Sequence, residues 1–123
     1  MKKIISVLLV VPFLAFQCHK DNDKGELLEG KVVRLSCASY VVQILNNASI
    51  GEDGWKDILD HDKVYDDVIN ASNQCEIPES IKTGNVIQFR IVNPSTYKNC
   101  YVCFLYDAPP SVKYEIRNIR LKH

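Results

Sequence analysis

The sequence has no excess of charge of either sign. Lys and Arg together number 15, as do Asp and Glu. Binding to a phosphate backbone calls for clustered Lys and Arg, so no nucleic-acid partner is expected. There is no internal repeat, which excludes solenoids and propellers. No Gly-x-Ser-x-Gly elbow occurs, and His61, between Asp60 and Asp62, has no serine or cysteine motif beside it to activate. An exposed loop histidine is the expectation there. Beyond residue 16 no apolar run approaches the length of a membrane span. These absences leave no catalytic constellation, and neither enzymatic activity nor a cofactor is expected.

What is present begins at the N-terminus. Lys2 and Lys3 precede an uncharged, mostly apolar run from residue 4 to residue 16. As a helix the run would reach only about 20 Å, short of a hydrocarbon core of about 30 Å. It reads as the apolar part of a secretory signal rather than a span. Leu14-Ala-Phe-Gln-Cys18 follows at once, and Lys20-Asp-Asn-Asp23 comes just after it. The first stretch resembles the lipobox of bacterial lipoproteins, and the second resembles the acidic surface-export tag of the Bacteroidetes type. The resemblance covers about the first 23 residues. It implies cleavage before Cys18, acylation of its thiol, and a lipid anchor in the bacterial outer membrane, with the protein displayed at the surface. The expected organisation is a signal peptide over residues 1–17, a flexible tether over 18–29, and one small domain over 30–123. Without Lys2 and Lys3, 13 basic residues face 15 acidic ones in the mature chain.

Four cysteines remain besides Cys18: Cys37, Cys75, Cys100 and Cys103. In an exported chain they read first as two disulfides, which a domain of this size uses to supplement a modest core. Cys100-x-x-Cys103 also has the spacing of a redox pair or of half a zinc site. A redox pair is expected at a helix N-terminus and zinc needs a second ligand pair. The residues after Cys103 read as strand, so structural disulfides lead and no metal site is expected.

The domain reads as mainly β. Residues 31–37 alternate with Val33, Leu35 and Cys37 on one face, and residues 40–46 are β-branched and aromatic, which together predict a hairpin. In the middle, Trp55, Ile58 and Leu59 stand at helical spacing, as do Val64 with Val68 and Tyr65 with Ile69; residues 63–71 read equally as a strand. Residues 75–78 are expected to be extended before Pro78. Residues 82–85 predict a turn. Residues 86–92 form the cleanest strand, with Ile87, Phe89 and Ile91 inward. Residues 101–106 read as a central strand. In residues 113–121 the inward set slips from Tyr114 and Ile116 to Ile119 and Leu121, which demands a bulge. Five strands with a short helical insertion predict a small OB-like barrel, although the helical candidate follows the second strand and an OB-fold places its helix after the third. An Ig-like sandwich, which needs about seven strands, is the alternative.

In such a barrel the face carrying Cys37 meets the face carrying Cys103. That favours Cys37–Cys103 and leaves Cys75–Cys100. Trp55, Tyr40 and Tyr65 are candidates for an aromatic platform that binds a glycan or a protein. The acidic residues Glu52, Asp53, Asp57, Asp60, Asp62, Asp66 and Asp67 match no calcium-loop spacing and read as a solvated face. The functional expectation is a non-catalytic binding or accessory module held at the envelope by lipid. A thiol–disulfide or metal-handling protein using Cys100 and Cys103, and a structural component of an envelope assembly, are the alternatives.

Overall fold

The computed structural model of the chain describes residues 26–92, 100, 103 and 105–123. Among the described residues, seven strands run in order: β1 (Leu28–Leu35), β2 (Tyr40–Ile44), β3 (Trp55–Asp57), β4 (Lys63–Tyr65), β5 (Val68–Ala71), β6 (Val86–Val92) and β7 (Lys113–Leu121), with a single 3-10 turn at Gln74–Glu76. Five of them close a barrel in the order β1-β2-β5-β7-β6, and β6 returns to β1. Counting barrel strands alone, the order is 1-2-3-5-4. The third and fifth pair in parallel and every other pair is antiparallel. This is the connectivity of an OB-like barrel, as expected from the strand pattern.

The helix expected from Trp55, Ile58 and Leu59 is corrected, and of the two readings of residues 63–71 the strand is the one observed. Residues 55–57 and 63–65 form a separate two-stranded hairpin, and Val68–Ala71 is a barrel strand. The 3-10 turn takes up Cys75 and Glu76, which were expected to be extended, while Ile77, before Pro78, is extended. The one helical element among the described residues therefore does follow the third barrel strand. The first strand also begins at Leu28, inside the expected tether, because Leu28 is fully buried. In the expected strand over 101–106, Cys103, Leu105 and Tyr106 belong to no strand, and the other three positions lie outside the described residues.

The core follows from alternation. Leu28 and Val32 of β1, Tyr40, Val42 and Ile44 of β2, Ile69 and Ala71 of β5, Ile87 and Phe89 of β6, and Ile116 of β7 face inward, and Ile77 and Ile81 join them. Gly30 belongs to this inward set. A Cβ there would lie 2.4 Å from Val42 Cγ1 and 2.8 Å from Phe89 Cε1, so glycine makes room for the phenylalanine ring. Two bulges re-aim side chains. The β1–β2 register shifts between Val32 and Arg34, so Val33 does not share a face with Leu35 as expected; Leu35 packs on the barrel core and Val33 turns outward. The expected bulge in β7 is present: the register advances from Arg117 to Arg120 while β6 advances only from Gln88 to Arg90. Asn118, at φ 54°, takes up the extra residue in the left-handed region that asparagine tolerates. Ile119 packs against the core as expected, but Leu121 is exposed, at the strand's end.

One feature of the core is costly. Tyr40 is 6% exposed, and its hydroxyl has no hydrogen-bond partner among the described residues. Burial pushes its pKa up to about 12. Between the ordinary tyrosine value of about 10 and that value, the unfolded chain releases the proton and the folded one keeps it. The stability associated with this group is therefore complete below pH 10 and declines as pH rises through 12. Tyr40→Phe is expected to stabilise the domain by about 1 kcal/mol at neutral pH, by removing an orphaned polar group. It should also flatten the alkaline decline. Urea unfolding at a series of pH values checks both; an unchanged alkaline slope in the variant would remove Tyr40 as its source.

Candidate functional site

The outer face of β2 and β5 is where OB-folds commonly bind oligonucleotides and oligosaccharides. Here Val41 and Val68 point outward from it, and with Val33 they form a second buried cluster under Trp55, against which Tyr65 packs. The β3–β4 hairpin covers this face. Its base is fixed by Glu52, whose backbone exchanges hydrogen bonds with Val68 at 2.8 and 3.0 Å. The approach is close enough that a Cβ on Gly51 would sit 2.2 Å from the Asp67 carbonyl carbon, so no side chain fits there.

A buried ionic network lies beneath the hairpin. The β1 bulge turns Arg34 outward beside Val41, and Arg34 is only 5% exposed. Its Nη1 donates to Asp57 Oδ1 at 2.9 Å, its Nη2 pairs with Asp107 Oδ1 at 3.1 Å, and its Nε and Nη2 donate to Ser39 Oγ. The guanidinium lies 4.7 Å from the centroid of the Trp55 ring, a cation–π distance. Trp55 Nε1 donates to the Ala108 carbonyl at 2.8 Å. Asp107 Oδ2 accepts from Ser39 Oγ at 2.8 Å and from Ser36 Oγ. Asp57 Oδ1 also accepts the Leu59 N–H at 3.1 Å. The two buried carboxylates are thus compensated by the guanidinium and by hydroxyl and amide donors, and the guanidinium by the carboxylates and the Ser39 hydroxyl oxygen. The arrangement seals the hairpin onto the barrel.

The aromatic platform is therefore corrected. Trp55 and Tyr40 are each 6% exposed, Trp55 under the hairpin and Tyr40 in the barrel, and the half-buried Tyr65 packs on Trp55 with ring centroids 6.1 Å apart. Asp57 departs from the solvated acidic face expected of it, being 1% exposed. Two of the others bond locally: Asp53 accepts the Asp67 N–H and Asp66 accepts the Gly54 N–H. Burial first, and then the neighbouring Asp53 and Asp66 charges, raise the Asp67 carboxyl above its ordinary range. His61 is exposed at φ 52° in the hairpin turn, as a loop histidine.

Cys37 bonds Cys103 and Cys75 bonds Cys100, with Cα separations of 5.5 and 5.3 Å. The pairing is the expected one, although Cys103 reaches it from irregular backbone whose N–H donates to the Cys37 carbonyl at 3.3 Å. Cys100 and Cys103 thus have different partners, and among the described residues no cluster of three or more His, Cys, Asp or Glu is arranged to hold a metal ion. Cys18 lies outside the described residues.

Open space lies on the other side of the barrel, around the Asn118 bulge. A groove of about 410 Å³ runs between the 3-10 turn and β7, lined by Asn73, Glu76, Pro78, Ile116, Arg117 and Asn118, among others. Asn73 shapes it. Its side chain accepts the Ile116 N–H at 2.9 Å and donates to the Ile116 carbonyl at 2.7 Å, so it stands in for one more residue of the parallel ladder. A second groove, of about 350 Å³, is lined by Leu27, Gln88, Arg90, Asn118 and Arg120. Sequence reasoning missed both. The only signal was the hydrophobic slip in β7, which announced a bulge without saying what it would open. No protein-family model matches the chain, and no curated protein or solved structure matches it.

Proposed function

We propose that the protein is an exported, lipid-anchored, non-catalytic binding module of a bacterial cell envelope, displayed at the outer-membrane surface, and that it binds its ligand, a glycan or a protein, on the β6–β7 side of the barrel. The observation that carries this reading is the inversion of the barrel's surfaces. The face that OB-folds commonly offer is occupied by the chain's own Trp55 hairpin, while two grooves meet at Asn118 on the far side. The export address rests on Lys2, Lys3, the apolar run and Cys18. The cross-linked rim suits an extracellular setting, where disulfides persist.

Cys18→Ala is expected to move the protein out of the membrane fraction or to stall its maturation, and to abolish metabolic labelling with a radioactive fatty acid. Normal processing with unchanged membrane association would refute the anchor. Replacing Lys20, Asp21 and Asp23 with alanine should preserve acylation yet protect the protein from protease added to whole cells. Continued digestion would reduce that stretch to a spacer.

A further inference from the structure

We infer that the outer edge of β7 beyond Ile116 is a docking site for an extended, acidic peptide segment of a partner protein, which adds to the barrel wall as one more strand. The inference rests on the proposal that the β6–β7 side is the binding surface, and it adds the kind of partner and the way it is held.

The edge is open because β5 ends early. β5 pairs with β7 only at Lys113 and Tyr114, and the Ser72 N–H carries the ladder on by donating to the Tyr114 carbonyl at 2.9 Å. Asn73 supplies the last rung with its side chain, at both the N–H and the carbonyl of Ile116. The chain then leaves in the 3-10 turn, and among the described residues no strand lies beside β7 past that point. The other side of β7 shows which backbone groups are left. The Lys122 N–H donates to the Val86 carbonyl at 2.9 Å. Bonded positions alternate in an antiparallel ladder, so Arg120 also bonds toward β6, while Ile119 and Leu121 turn their N–H and carbonyl groups away from it.

The groove of about 410 Å³ is the space beside this edge. Four successive residues of β7 line it: Ile116, Arg117, Asn118 and Ile119. Side chains of successive strand residues leave on opposite faces, so a space lined by all four runs along the strand's edge. Pro78 and the 3-10 turn form its far bank. An open edge is a template for another strand, and a peptide backbone is the chemistry that answers its donors and acceptors. The Asn118 bulge keeps the free run short, which fits a short segment rather than a whole sheet.

Charge selects among such segments. From 117 to 123 the chain carries Arg117, Arg120 and Lys122 and no acid. Arg117 is held by Glu115 at 2.8 Å and by Glu76 at 3.7 Å. Lys122 is held at 2.7 Å by Glu29, which also accepts from the Gln88 amide at 3.5 Å. Arg90 faces Arg117 across the ladder. Arg120 is exposed, lies opposite Gln88, and has no acidic partner among the described residues. A carboxylate on the added strand, directly across from Arg120, completes a cross-strand pair. Glu76 and the exposed Glu79 stand at the turn, so the acid belongs at the Arg120 end. The residues flanking that acid then lie opposite Ile119 and Leu121, and apolar side chains there share the face of Ile119.

The test uses the full mature protein, acylated, disulfide-bonded and held in detergent micelles. Its probes are the labelled peptide Val-Thr-Val-Asp-Val-Thr, the same peptide with Lys for Asp, the same peptide N-methylated at its valines, and neutral dextran. The aspartate peptide is expected to bind and to slow exchange of the Ile119 and Leu121 amide protons. N-methylation removes the donors that face β7 and should lower the affinity at least about tenfold. Leu121→Pro, which removes one donor on the open edge, should lower it about fivefold or more, whereas Leu121→Ala keeps the N–H and should stay within about twofold. Arg120→Glu should reverse the preference from the aspartate to the lysine peptide. Lys56→Gln, on the exposed side of the hairpin, should change nothing, and thermal melts of each variant exclude unfolding. No binding of any peptide at millimolar concentration, undiminished binding of the N-methylated form, or a preference for aspartate that survives Arg120→Glu would overturn the inference. Dextran binding that protects β6 and β7 amides in place of peptide binding also overturns it and leaves the proposed binding module standing; binding of any probe that protects amides only elsewhere removes both.

Discussion

Arg34→Ala is expected to destabilise the domain by about 3–5 kcal/mol, a large share of the 5–15 kcal/mol that holds a typical domain together. The reason is the pair of carboxylates it leaves behind. Asp57 and Asp107 are each 1% exposed, and Arg34 is the cation they share. Deleting the guanidinium also removes the donors to Ser39 Oγ and the charge over the Trp55 ring. Arg34→Lys should recover only part of the loss, because one ammonium cannot reproduce the fork that reaches both carboxylates.

The network's role is separable from its net worth. A buried ion pair exchanged whole for apolar groups is often neutral or stabilising, whereas removing one partner is not. Arg34→Met with Asp57→Asn and Asp107→Asn should therefore be markedly more stable than Arg34→Met alone. Urea unfolding of the set measures the coupling, and a loss below about 1 kcal/mol for Arg34→Ala would place these charges in effectively solvated surroundings. The expected local consequence is release of the hairpin from the barrel. Trp55 fluorescence should report this, since its indole packs between the guanidinium and the Ala108 carbonyl.

The barrel was legible where single strands carry enough positions to show their period. Ile87, Phe89 and Ile91 against Gln88 and Arg90 defined β6 without help, and the slip from Ile116 to Ile119 located the β7 bulge. The hairpin was not legible, because strands of three residues show no period. Trp55, Ile58 and Leu59 mimic a helical stripe, yet Trp55 is buried while Ile58 and Leu59 are about half exposed at the turn. Arg34 lies between Val33 and Leu35, the positions expected to face inward, and it does point out of the barrel. What the sequence conceals is that a segment some twenty residues later folds back over that outside. Asp57 is one carboxylate among several, and only its pairing with Arg34 separates it from its neighbours. Leu28 was lost to the tether by the polar residues around it. The groove cations were hidden for a similar reason: Arg117 and Arg120 share a face only because one residue bulges between them.

Cys37→Ser with Cys103→Ser should destabilise the domain more than Cys75→Ser with Cys100→Ser. Chain entropy sets the baseline. The first bond spans 66 positions and the second 25, which in the loop-closure model correspond to roughly 4 and 3.5 kcal/mol. The first bond also has a structural neighbour that the second lacks. Cys37 lies in the β1–β2 turn between Ser36 and Ser39, and both serines donate to Asp107, four residues beyond Cys103. Releasing that bond frees the segment that presents Asp107 to Arg34, so part of the ionic network loosens with it. The loss from removing Cys37–Cys103 should therefore exceed the loop term, and it should be less than additive with Arg34→Ala, since each change damages what the other depends on. Removing Cys75–Cys100 should instead be additive with Arg34→Ala, because Asn73 independently ties the 3-10 turn to Ile116. Denaturant unfolding of the two double-serine variants, each with and without Arg34→Ala, measures both couplings. Equal additivity in the two cycles would mean that the disulfides act on the unfolded chain alone and that Asp107 keeps its place without Cys103.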